Sequence, residues 1–240
     1  MTVVPYKDHQ GSKKEQVAEM FDNISKKYDF LNRFLSVGID IFWRKQAIKQ
    51  LKYEQPQYIL DVATGTADLA IEAIYLNPRK IIGIDISEGM LEIGRKKIEK
   101  KGLTQLIELQ KGDSENLPFK ESTFDAVMVS FGVRNFENLE KGLTNIHKVL
   151  KKDGTLLVLE FSKPNLFPIK QIYQFYFKFI LPFIGKIISK DQSAYTYLPA
   201  SVQQFPDGRA FTEILEKIGF TQTKCILLTF GICSIYLGKK

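Results

Sequence analysis

Between residues 58 and 161, the chain alternates short apolar runs with amphipathic segments. The apolar runs are YILDVA, KIIGID, LIELQKGD, FDAVMVS and GTLLVLEF. Three of the intervening segments place apolar residues at helical spacing, which predicts helices over residues 67–76, 88–101 and 139–150. Strands that alternate with helices of this length indicate βαβ units and a parallel sheet covered on both faces.

The pattern changes near the C-terminus. The stretch FTQTKCILLTFGICSIYLG predicts two strands that meet around residues 229–231 with no helix between them. Strands joined this closely pair antiparallel, so we expect an antiparallel edge on the sheet. The predicted fold is a single α/β domain with a Rossmann-like, seven-stranded, mostly parallel sheet.

Composition narrows the class of protein. With 240 residues, 44% of them hydrophobic, the chain can bury one sizeable core. Cys225 and Cys233 lie in an apolar run without metal-ligand spacing, which predicts reduced core thiols in a cytosolic protein. The N-terminal residues resemble neither a signal peptide nor a transit peptide, and no apolar run is long enough to span a membrane.

The chain is basic, with a formal net charge of +7 and a pI near 9.2. Nucleic acid or an anionic membrane surface would suit that charge. Much of the excess lies in lysine-rich helical stretches such as GRKKIEKKG, which favour a solvated helix face over a binding patch.

The first predicted strand runs into a tight turn at LDVATGTADLA, with Gly65 at its centre. Ligands of open parallel sheets bind beyond the carboxyl ends of the strands, and the first βα turn usually marks the place. Asp85 ends the second strand 20 residues later, the spacing at which a carboxylate accepts hydrogen bonds from ribose hydroxyls. The pattern predicts a site for an adenosine-type ligand.

The turn lacks the glycine spacing that a dinucleotide pyrophosphate requires. Ala63, Gly65 and Asp68 stand at the three glycine positions, and an acid in the first helical turn would repel a pyrophosphate. S-adenosylmethionine fits better, because its sulfonium and ammonium groups are cationic and would meet Asp61 and the strand end. A nicotinamide oxidoreductase is correspondingly disfavoured.

Asp113 and Ser114 follow the third strand in KGDSENLPF. There the Asp113 carboxylate can accept a hydrogen bond from the adenine amino group, while the Ser114 backbone N–H faces a ring nitrogen. Alternatively, Asp113 caps a turn and Asp85 caps the following helix, since aspartate favours both positions. The convergence of Gly65, Asp85 and Asp113 on three consecutive strand ends favours the cofactor site.

Several motifs resemble known proteins over nearly the whole chain. They are LDVATGTADLA, GIDISEGML, GDSENLPF, SFGVRNF, YDFLNRFLSVGIDIFWR and FILPFIGKIISKDQSAYTYLPASVQQFP. Together they resemble the class I S-adenosylmethionine-dependent methyltransferases, in particular the menaquinone/ubiquinone biosynthesis C-methyltransferase family. The resemblance implies cofactor contacts at five positions: Thr66, Asp85, Asp113, Ser114 and Ser130.

The resemblance further implies methylation of a ring carbon on a demethylated prenyl-naphthoquinol. Arg134 follows the fourth strand in SFGVRN and would stabilise a phenolate, because guanidinium stays charged at any working pH. Asn135 and Tyr195 or Tyr197 would orient the hydroxyls. The alternatives are that Arg134 is a surface residue and that Asn135 caps the next helix. His9 and His147 allow neither a histidine-based triad nor a metal cluster.

The stretch after the fifth strand is rich in aromatic residues and lysine and has no acid before residue 191. It fits an interfacial lid that admits a hydrophobic tail and meets lipid headgroups through four lysines: Lys170, Lys178, Lys186 and Lys190. The alternative is an ordinary helical hairpin packed on the sheet. We therefore expect a cytoplasmic enzyme at the inner face of the membrane, with association into a homodimer left open.

These features divide the domain into four parts. They are an N-terminal helical cap (1–55), a cofactor-binding core (56–161), a helical lid insertion (162–207) and a last helix with antiparallel strands (208–240). Two other functions stay open from sequence: methylation of the benzoquinol of ubiquinone biosynthesis, and a basic nucleic-acid-binding domain on the same fold.

Overall fold

The computed structural model describes residues 3–6, 9–180 and 193–240. Within them, seven strands form one sheet in the order β3-β2-β1-β4-β5-β7-β6. The strands are β1 (Tyr58–Val62), β2 (Lys80–Asp85), β3 (Ile107–Lys111), β4 (Phe124–Ser130), β5 (Leu150–Phe161), β6 (Thr221–Leu228) and β7 (Cys233–Lys239). The order reverses between β1 and β4, so the switch point lies beside the turn that contains Gly65.

Strand directions agree with the predicted sheet. Strands β1 to β5 pair parallel, whereas β7 pairs antiparallel with both β5 and β6. Strand β7 thus lies inside the sheet, and β6 forms its edge. The connection between β6 and β7 is the short 3-10 turn Thr229–Gly231, where the sequence predicted it.

Eight α-helices surround the sheet in the described ranges. They are α1 (Lys13–Leu35), α2 (Ile39–Lys49), α3 (Asp68–Glu72), α4 (Glu88–Lys100), α5 (Leu139–Val149), α6 (Ile169–Phe175), α7 (Ser193–Gln204) and α8 (Arg209–Ile218). The predicted helix over residues 67–76 is shorter than expected, because α3 gives way to the 3-10 turn Ala73–Leu76. A π-helical turn, Tyr176–Ile180, continues α6.

Two apolar layers hold the helices on opposite faces of the sheet. One layer contains Trp43 and Ile48 of α2 with Leu91 of α4, and the other contains Leu143 of α5 with Phe211 of α8. Strands β1 and β4 are almost entirely buried, as expected for a parallel sheet covered on both faces. The carboxyl ends of β1 to β5 therefore meet at one edge, which helix α1 covers.

Helix α1 begins with a capping box in which Ser12 and Glu15 exchange hydrogen bonds. Its apolar side packs Val17, Met20 and Leu31 against Tyr195 and other residues of α7. The N-terminal cap and the insertion thus form a third apolar layer above the strand ends. In the described part of the chain, no helix combines the length and apolar character needed to cross a membrane.

Candidate active site

The first βα turn leaves open space in front of Gly65. Gly65 has φ +56°, a backbone conformation that L side chains rarely adopt, and a Cβ added there would meet nothing within 4 Å. Its N–H donates to Asp85 Oδ2 at 2.8 Å. Behind it, Ala63 approaches the β4 turn so closely that a Cβ on Gly132 would lie 2.6 Å from the Ala63 side chain. The turn therefore places bare backbone against an empty volume.

Asp85 is buried at the end of β2 and organises two turns. Its carboxylate accepts from the Gly65 N–H and from the Ser87 N–H, the latter at 2.9 Å. Ser87, not Asp85, is the N-cap of helix α4, so the helix-cap alternative is wrong. Burial raises the pKa of Asp85 to about 6, although hydrogen bonds from the backbone oppose the shift. A carboxylate has further lone pairs, so Asp85 can still accept from a ligand.

Asp113 faces the same space from the end of β3. Its Oδ1 accepts from the Glu115 N–H at 2.9 Å, so it does cap a local turn as one alternative had it. Its Oδ2 accepts from the Lys14 ammonium group of helix α1 at 2.6 Å. Asp113 can therefore cap the turn and still bind a cofactor. Lys14, to which no sequence motif pointed, also binds this carboxylate.

These side chains line a cleft of about 660 Å³ at the carboxyl edge of the sheet. The cleft brings together five of the predicted cofactor residues: Gly65, Asp85, Asp113, Ser114 and Ser130. Asn135 also lines it, so the structure places this residue on the cofactor side and not with the other predicted acceptor residues. Asn138, whose side chain accepts from the Lys141 N–H, caps helix α5, so the alternative that Asn135 caps this helix is wrong.

Asp61 and Thr66 do not line this cleft. Asp61 is fully buried and accepts from the Thr64 hydroxyl at 2.7 Å, and burial raises its pKa to about 7. Thr66 donates to Asp29 at 2.6 Å and accepts from the Lys97 ammonium group at 2.8 Å. Both residues hold the turn around Gly65 from behind, and their predicted contact with the cofactor stays a prediction.

Asp68 belongs to an ion-pair network between α1, α2 and the core. It pairs with Lys97 at 2.6 Å and with Arg44 at 3.4 Å. These cations compensate its charge, so Asp68 would repel a pyrophosphate less than its sequence position suggests. The missing glycines still disfavour a dinucleotide.

Helix α1 is fastened to the turns that follow four strands. Asp22 accepts from the Ser87 hydroxyl and the Gly89 N–H of the β2 turn. Lys13 donates to the carbonyls of Arg134 and Phe136 in the β4 turn. Together with the contacts of Asp29 and Lys14, these bonds make α1 the roof of the cleft. Sequence periodicity predicted a helix in this cap but carried no signal for its partners.

A second, larger cleft adjoins the first, with about 1620 Å³ of space that is partly open to solvent. Its lining is mostly apolar and comes from α1, α2, α6, α7 and the ends of β4 and β5. Arg134, Tyr195 and Tyr197 line it, as predicted for the acceptor side. Three residues line both clefts: Phe21, Tyr28 and Phe131. The two spaces therefore meet at an aromatic boundary.

Arg134 is not a surface residue. Its guanidinium pairs with the fully buried Glu160 of β5 at 2.7 Å and also donates to the Phe131 carbonyl. Its charged carbon lies 5.6 Å from the centre of the Phe161 ring. Burial raises the pKa of Glu160 while the Arg134 charge opposes the shift. Glu160 was not among the predicted site residues. An acid inside the apolar strand LLVLEF is unusual, and it could have indicated a buried, paired carboxylate.

Five buried polar atoms in or directly behind the two clefts have no hydrogen-bond partner among the described residues. They are Asp61 Oδ1, Arg134 Nε, Asn135 Oδ1, the Tyr173 hydroxyl and the Tyr197 hydroxyl. Buried polar groups in native proteins are nearly always paired, so bound water or a ligand would supply the missing bonds here. Burial raises the pKa of Tyr197 to about 12 and that of Tyr173 further, which keeps both hydroxyls protonated. Sequence analysis did not select Tyr173.

The described part of the insertion exposes apolar side chains beside the larger cleft. Phe167, Ile172, Phe175 and Phe179 are all exposed by more than half. Phe30, Phe34 and Val37 add exposed apolar surface from the end of α1 and the turn after it. Lys170 lies in α6 and Lys178 in the π-helical turn, whereas Lys186 and Lys190 lie outside the described residues.

In the described ranges, no group of three or more acidic, histidine or cysteine side chains could hold a metal ion. Cys233 is buried as expected, whereas Cys225 is exposed, so its prediction as a core thiol is wrong. It lies on β6, the edge strand, which leaves one face of that strand outside the core.

Comparisons with known proteins agree with this geometry. The sequence profile of the ubiE/COQ5 methyltransferase family matches residues 9–240. A demethylmenaquinone methyltransferase of Bacteroides fragilis is 48% identical over 239 residues, covering 99% of this chain and 97% of the relative. A ubiquinone/menaquinone biosynthesis C-methyltransferase UbiE of Geotalea uraniireducens is 44% identical, covering 95% and 97% of the two chains.

Solved structures with the same fold are more distant. An S-adenosylmethionine-dependent methyltransferase of Thermotoga maritima has a TM-score of 0.65 at 22% identity, covering 92% of this chain and 99% of that one. The [4+2]-cyclase SpnF has a TM-score of 0.63 at 15% identity, covering 95% and 96%. These likenesses establish the fold, and the cyclase illustrates that one fold serves several reactions.

Proposed function

Because this chain belongs to the ubiE/COQ5 methyltransferase family, we propose that it methylates a ring carbon of a demethylated prenyl-naphthoquinol, giving menaquinol. The methyl donor in this proposal is S-adenosylmethionine. The observation that carries the proposal is the junction of the two clefts at Phe21, Tyr28 and Phe131. A methyl donor in the smaller cleft and an apolar acceptor in the larger one would meet there.

The smaller cleft suits the chemistry of the donor. Its polar lining includes the carboxylates of Asp85 and Asp113, which can accept hydrogen bonds from ribose hydroxyls and from an adenine amino group. The empty volume in front of Gly65 gives a ligand close access to the backbone. S-adenosylmethionine would supply a methyl group already activated on a sulfonium, so no metal and no histidine triad is required.

The larger cleft suits a ring that carries a hydrocarbon tail. A quinone ring is electron-poor, so we infer that the acceptor reacts as the quinol, whose ionised hydroxyl pushes electron density to the attacking carbon. Arg134 would stabilise that phenolate, and Tyr197 or Tyr195 would orient the hydroxyls. The apolar residues of α1, α6 and α7 would enclose the tail and exclude water.

The exposed apolar residues around this cleft support contact with a membrane. A prenylated quinol resides in the bilayer, so an enzyme that accepts it needs a path from the lipid to its cleft. Phe167, Phe175 and Phe34 would enter the interfacial region while Lys170 and Lys178 meet anionic headgroups. We therefore propose a cytoplasmic protein that binds the inner face of the membrane peripherally.

The experiment that tests the reaction supplies labelled S-adenosylmethionine and a demethylmenaquinone analogue, with and without a reductant. We expect label on the ring carbon only under reducing conditions. Equal transfer to oxidised and reduced acceptor would contradict the phenolate mechanism. Transfer to neither, with S-adenosylmethionine still bound, would contradict the acceptor but not the methyltransferase activity.

The same assay separates the two quinol acceptors. The relative from Geotalea carries both pathways in its name, so the demethylated benzoquinol is run beside the naphthoquinol at equal concentration. We expect the naphthoquinol to give the higher kcat/KM. Nucleic-acid binding has no comparable support: in the lysine-rich helix Lys97 pairs with Asp29 and Asp68, and the exposed Lys96 and Lys100 fit a solvated helix face.

A further inference from the structure

Glu160 is the buried carboxylate closest to the predicted acceptor residues, and the reaction described so far gives it no role. It is fully buried at the end of β5. Its Oε1 accepts from Arg134 Nη1 at 2.7 Å and from the Phe161 N–H at 2.9 Å. The Arg134 backbone N–H lies 3.4 Å from its Oε2. Backbone and side-chain donors thus hold the carboxylate in one orientation.

The same contacts use only part of the hydrogen-bonding capacity of the Arg134 guanidinium. Nη1 is shared between Glu160 and the Phe131 carbonyl, whereas Nε has no partner among the described residues. The Phe161 ring lies below the guanidinium at 5.6 Å. Arg134 also lines the larger cleft, so Glu160 holds the guanidinium in place at the wall of the space where an acceptor would bind.

A carboxylate behind the guanidinium changes what the acceptor experiences. In a buried site, charges only a few ångströms apart interact far more strongly than they do in water. A phenolate bound to Arg134 would be attracted by the guanidinium and repelled by the carboxylate behind it. The pair therefore stabilises the phenolate less than an isolated guanidinium would, and a phenolate stabilised less is a stronger nucleophile.

We propose that Glu160 is a positioning residue that holds the Arg134 guanidinium and moderates the positive charge it presents to the acceptor's phenolate. The inference rests on the proposed function, because it assumes an acceptor oxygen that ionises at Arg134. It adds a second charged group, Glu160, which limits how strongly Arg134 stabilises the phenolate. Glu160 itself is not one of the described residues that line either cleft.

Other titratable side chains near the pair come from α1, α6, α7 and β7: Lys13, Tyr28, Tyr173, Tyr197 and Cys233. Burial raises the pKa values of the three tyrosines and of the thiol, so these groups stay protonated near neutral pH. Burial lowers the pKa of Lys13, with Arg134 acting in the same direction. A test must therefore observe the ionisation of the bound phenol directly, not infer it from activity alone.

The test uses 1-naphthol, whose phenol and phenolate forms differ in ultraviolet absorbance, bound to the full chain with S-adenosylhomocysteine present. We expect Glu160→Gln to lower the pKa of bound 1-naphthol by about one unit, a tenfold change in its ionisation constant. The matched control is Asp125→Asn. Asp125 is also an ion-paired strand carboxylate, bonded to Lys151, but it lies near the start of β4 at the opposite edge of the sheet. It should leave the bound pKa unchanged.

A change confined to thermal stability, with the pKa of bound 1-naphthol the same in wild type and folded Glu160→Gln, would overturn the inference. Because a buried arginine without its partner destabilises a fold, Glu160→Asp is measured as well. Aspartate keeps the negative charge, but its side chain is one methylene shorter, so the carboxylate lies farther from Arg134. We therefore expect a smaller decrease in the pKa of bound 1-naphthol, about threefold in its ionisation constant. No shift in a folded Glu160→Asp protein would also count against the proposal.

Turnover measurements separate this inference from the proposed function. If wild type methylates the naphthoquinol but Glu160→Gln leaves the bound pKa unchanged, the coupling is refuted and the reaction stands. If wild type methylates no quinol but Glu160→Gln still lowers the bound pKa, the coupling is supported and the proposed acceptor fails. If wild type methylates the naphthoquinol and Glu160→Gln also lowers the bound pKa, the acidic limb of the plot of kcat against pH should move to lower pH in Glu160→Gln.

Discussion

The ammonium group of Lys14 lies 2.6 Å from the Asp113 carboxylate and joins helix α1 to the end of β3 at the rim of the smaller cleft. The carboxylate proposed to receive the adenine amino group is therefore already engaged. The pair raises the pKa of Lys14, chiefly through the hydrogen bond to Asp113. Entry of the cofactor must displace or share this contact.

Replacing Lys14 with Met should speed cofactor exchange. Both side chains are partly exposed, so the ion pair contributes only about 0.2 to 1 kcal/mol to closure of α1 over the cleft. We expect the association and dissociation rates of S-adenosylmethionine to rise together, about twofold to fivefold, with little change in Kd. Stopped-flow fluorescence measures both rates. Unchanged rates would mean that α1 does not open for exchange.

Asp85 should make cofactor binding dependent on pH. Its pKa is raised to about 6 and its ionised form accepts the predicted ribose hydrogen bonds, so affinity should fall as the pH decreases through about 6. Replacing Asp85 with Asn should weaken binding at neutral pH by about 1.5 to 3 kcal/mol and remove most of the dependence. Calorimetry between about pH 5 and 8 measures both effects.

The titration of Asp61 must be distinguished from that of Asp85, because burial raises the pKa of Asp61 to about 7. The Asp61→Asn protein provides the control: its affinity should still fall through about pH 6. If that variant, and not Asp85→Asn, loses the pH dependence, the ribose assignment is wrong.

Arg134→Lys should slow the reaction without loosening the cofactor. Lysine keeps a positive charge but loses the planar fork that pairs with Glu160 and would contact the proposed acceptor. We expect kcat to fall by about 100-fold, the scale for one donor to a developing oxyanion, with the Kd of S-adenosylmethionine nearly unchanged. A matching rise in that Kd would place Arg134 in the cofactor site instead.

Tyr197→Phe should separate activity from stability. The Tyr197 hydroxyl is buried and has no partner in the part of the chain that the structure describes, so its removal should leave the free energy of unfolding unchanged or raise it by up to about 1 kcal/mol. If the hydroxyl orients the acceptor, turnover should fall about tenfold. The control is Tyr176→Phe in the same cleft, where the hydroxyl donates to the Leu35 carbonyl at 2.9 Å and its loss should cost about 1 kcal/mol. Urea denaturation and turnover are measured on both.

The exposed phenylalanines should control membrane binding. Exchanging Phe167 and Phe175 for Ser should reduce binding to anionic vesicles by at least about tenfold, since apolar area leaves the lipid interface. Tyr53 and Tyr75 are comparably exposed, and both precede strands at the opposite edge of the sheet. Their exchange for Ser should change nothing. Sedimentation with anionic and neutral vesicles at two salt concentrations measures vesicle binding. If the phenylalanine and the tyrosine double variants lose binding equally, the membrane does not contact one particular surface of the protein.

Local pattern in the sequence determined the elements and the cofactor edge. The period of apolar residues predicted the strands, the helices α4 and α5 and the C-terminal pair of strands, because that period follows directly from backbone geometry. The carboxyl ends of parallel strands must share one edge, so Gly65, Asp85 and Asp113 could be brought together without coordinates.

Tertiary packing alone decided the contacts between distant elements. Glu160 meets Arg134 because β5 lies beside β4, and Lys14 meets Asp113 because α1 crosses the strand ends. Neither contact produces a pattern in the sequence, because each joins residues that are far apart along the chain. The larger cleft has the same origin: α1, α6 and α7 enclose it jointly, so its shape depends on how three separate apolar faces pack above the sheet.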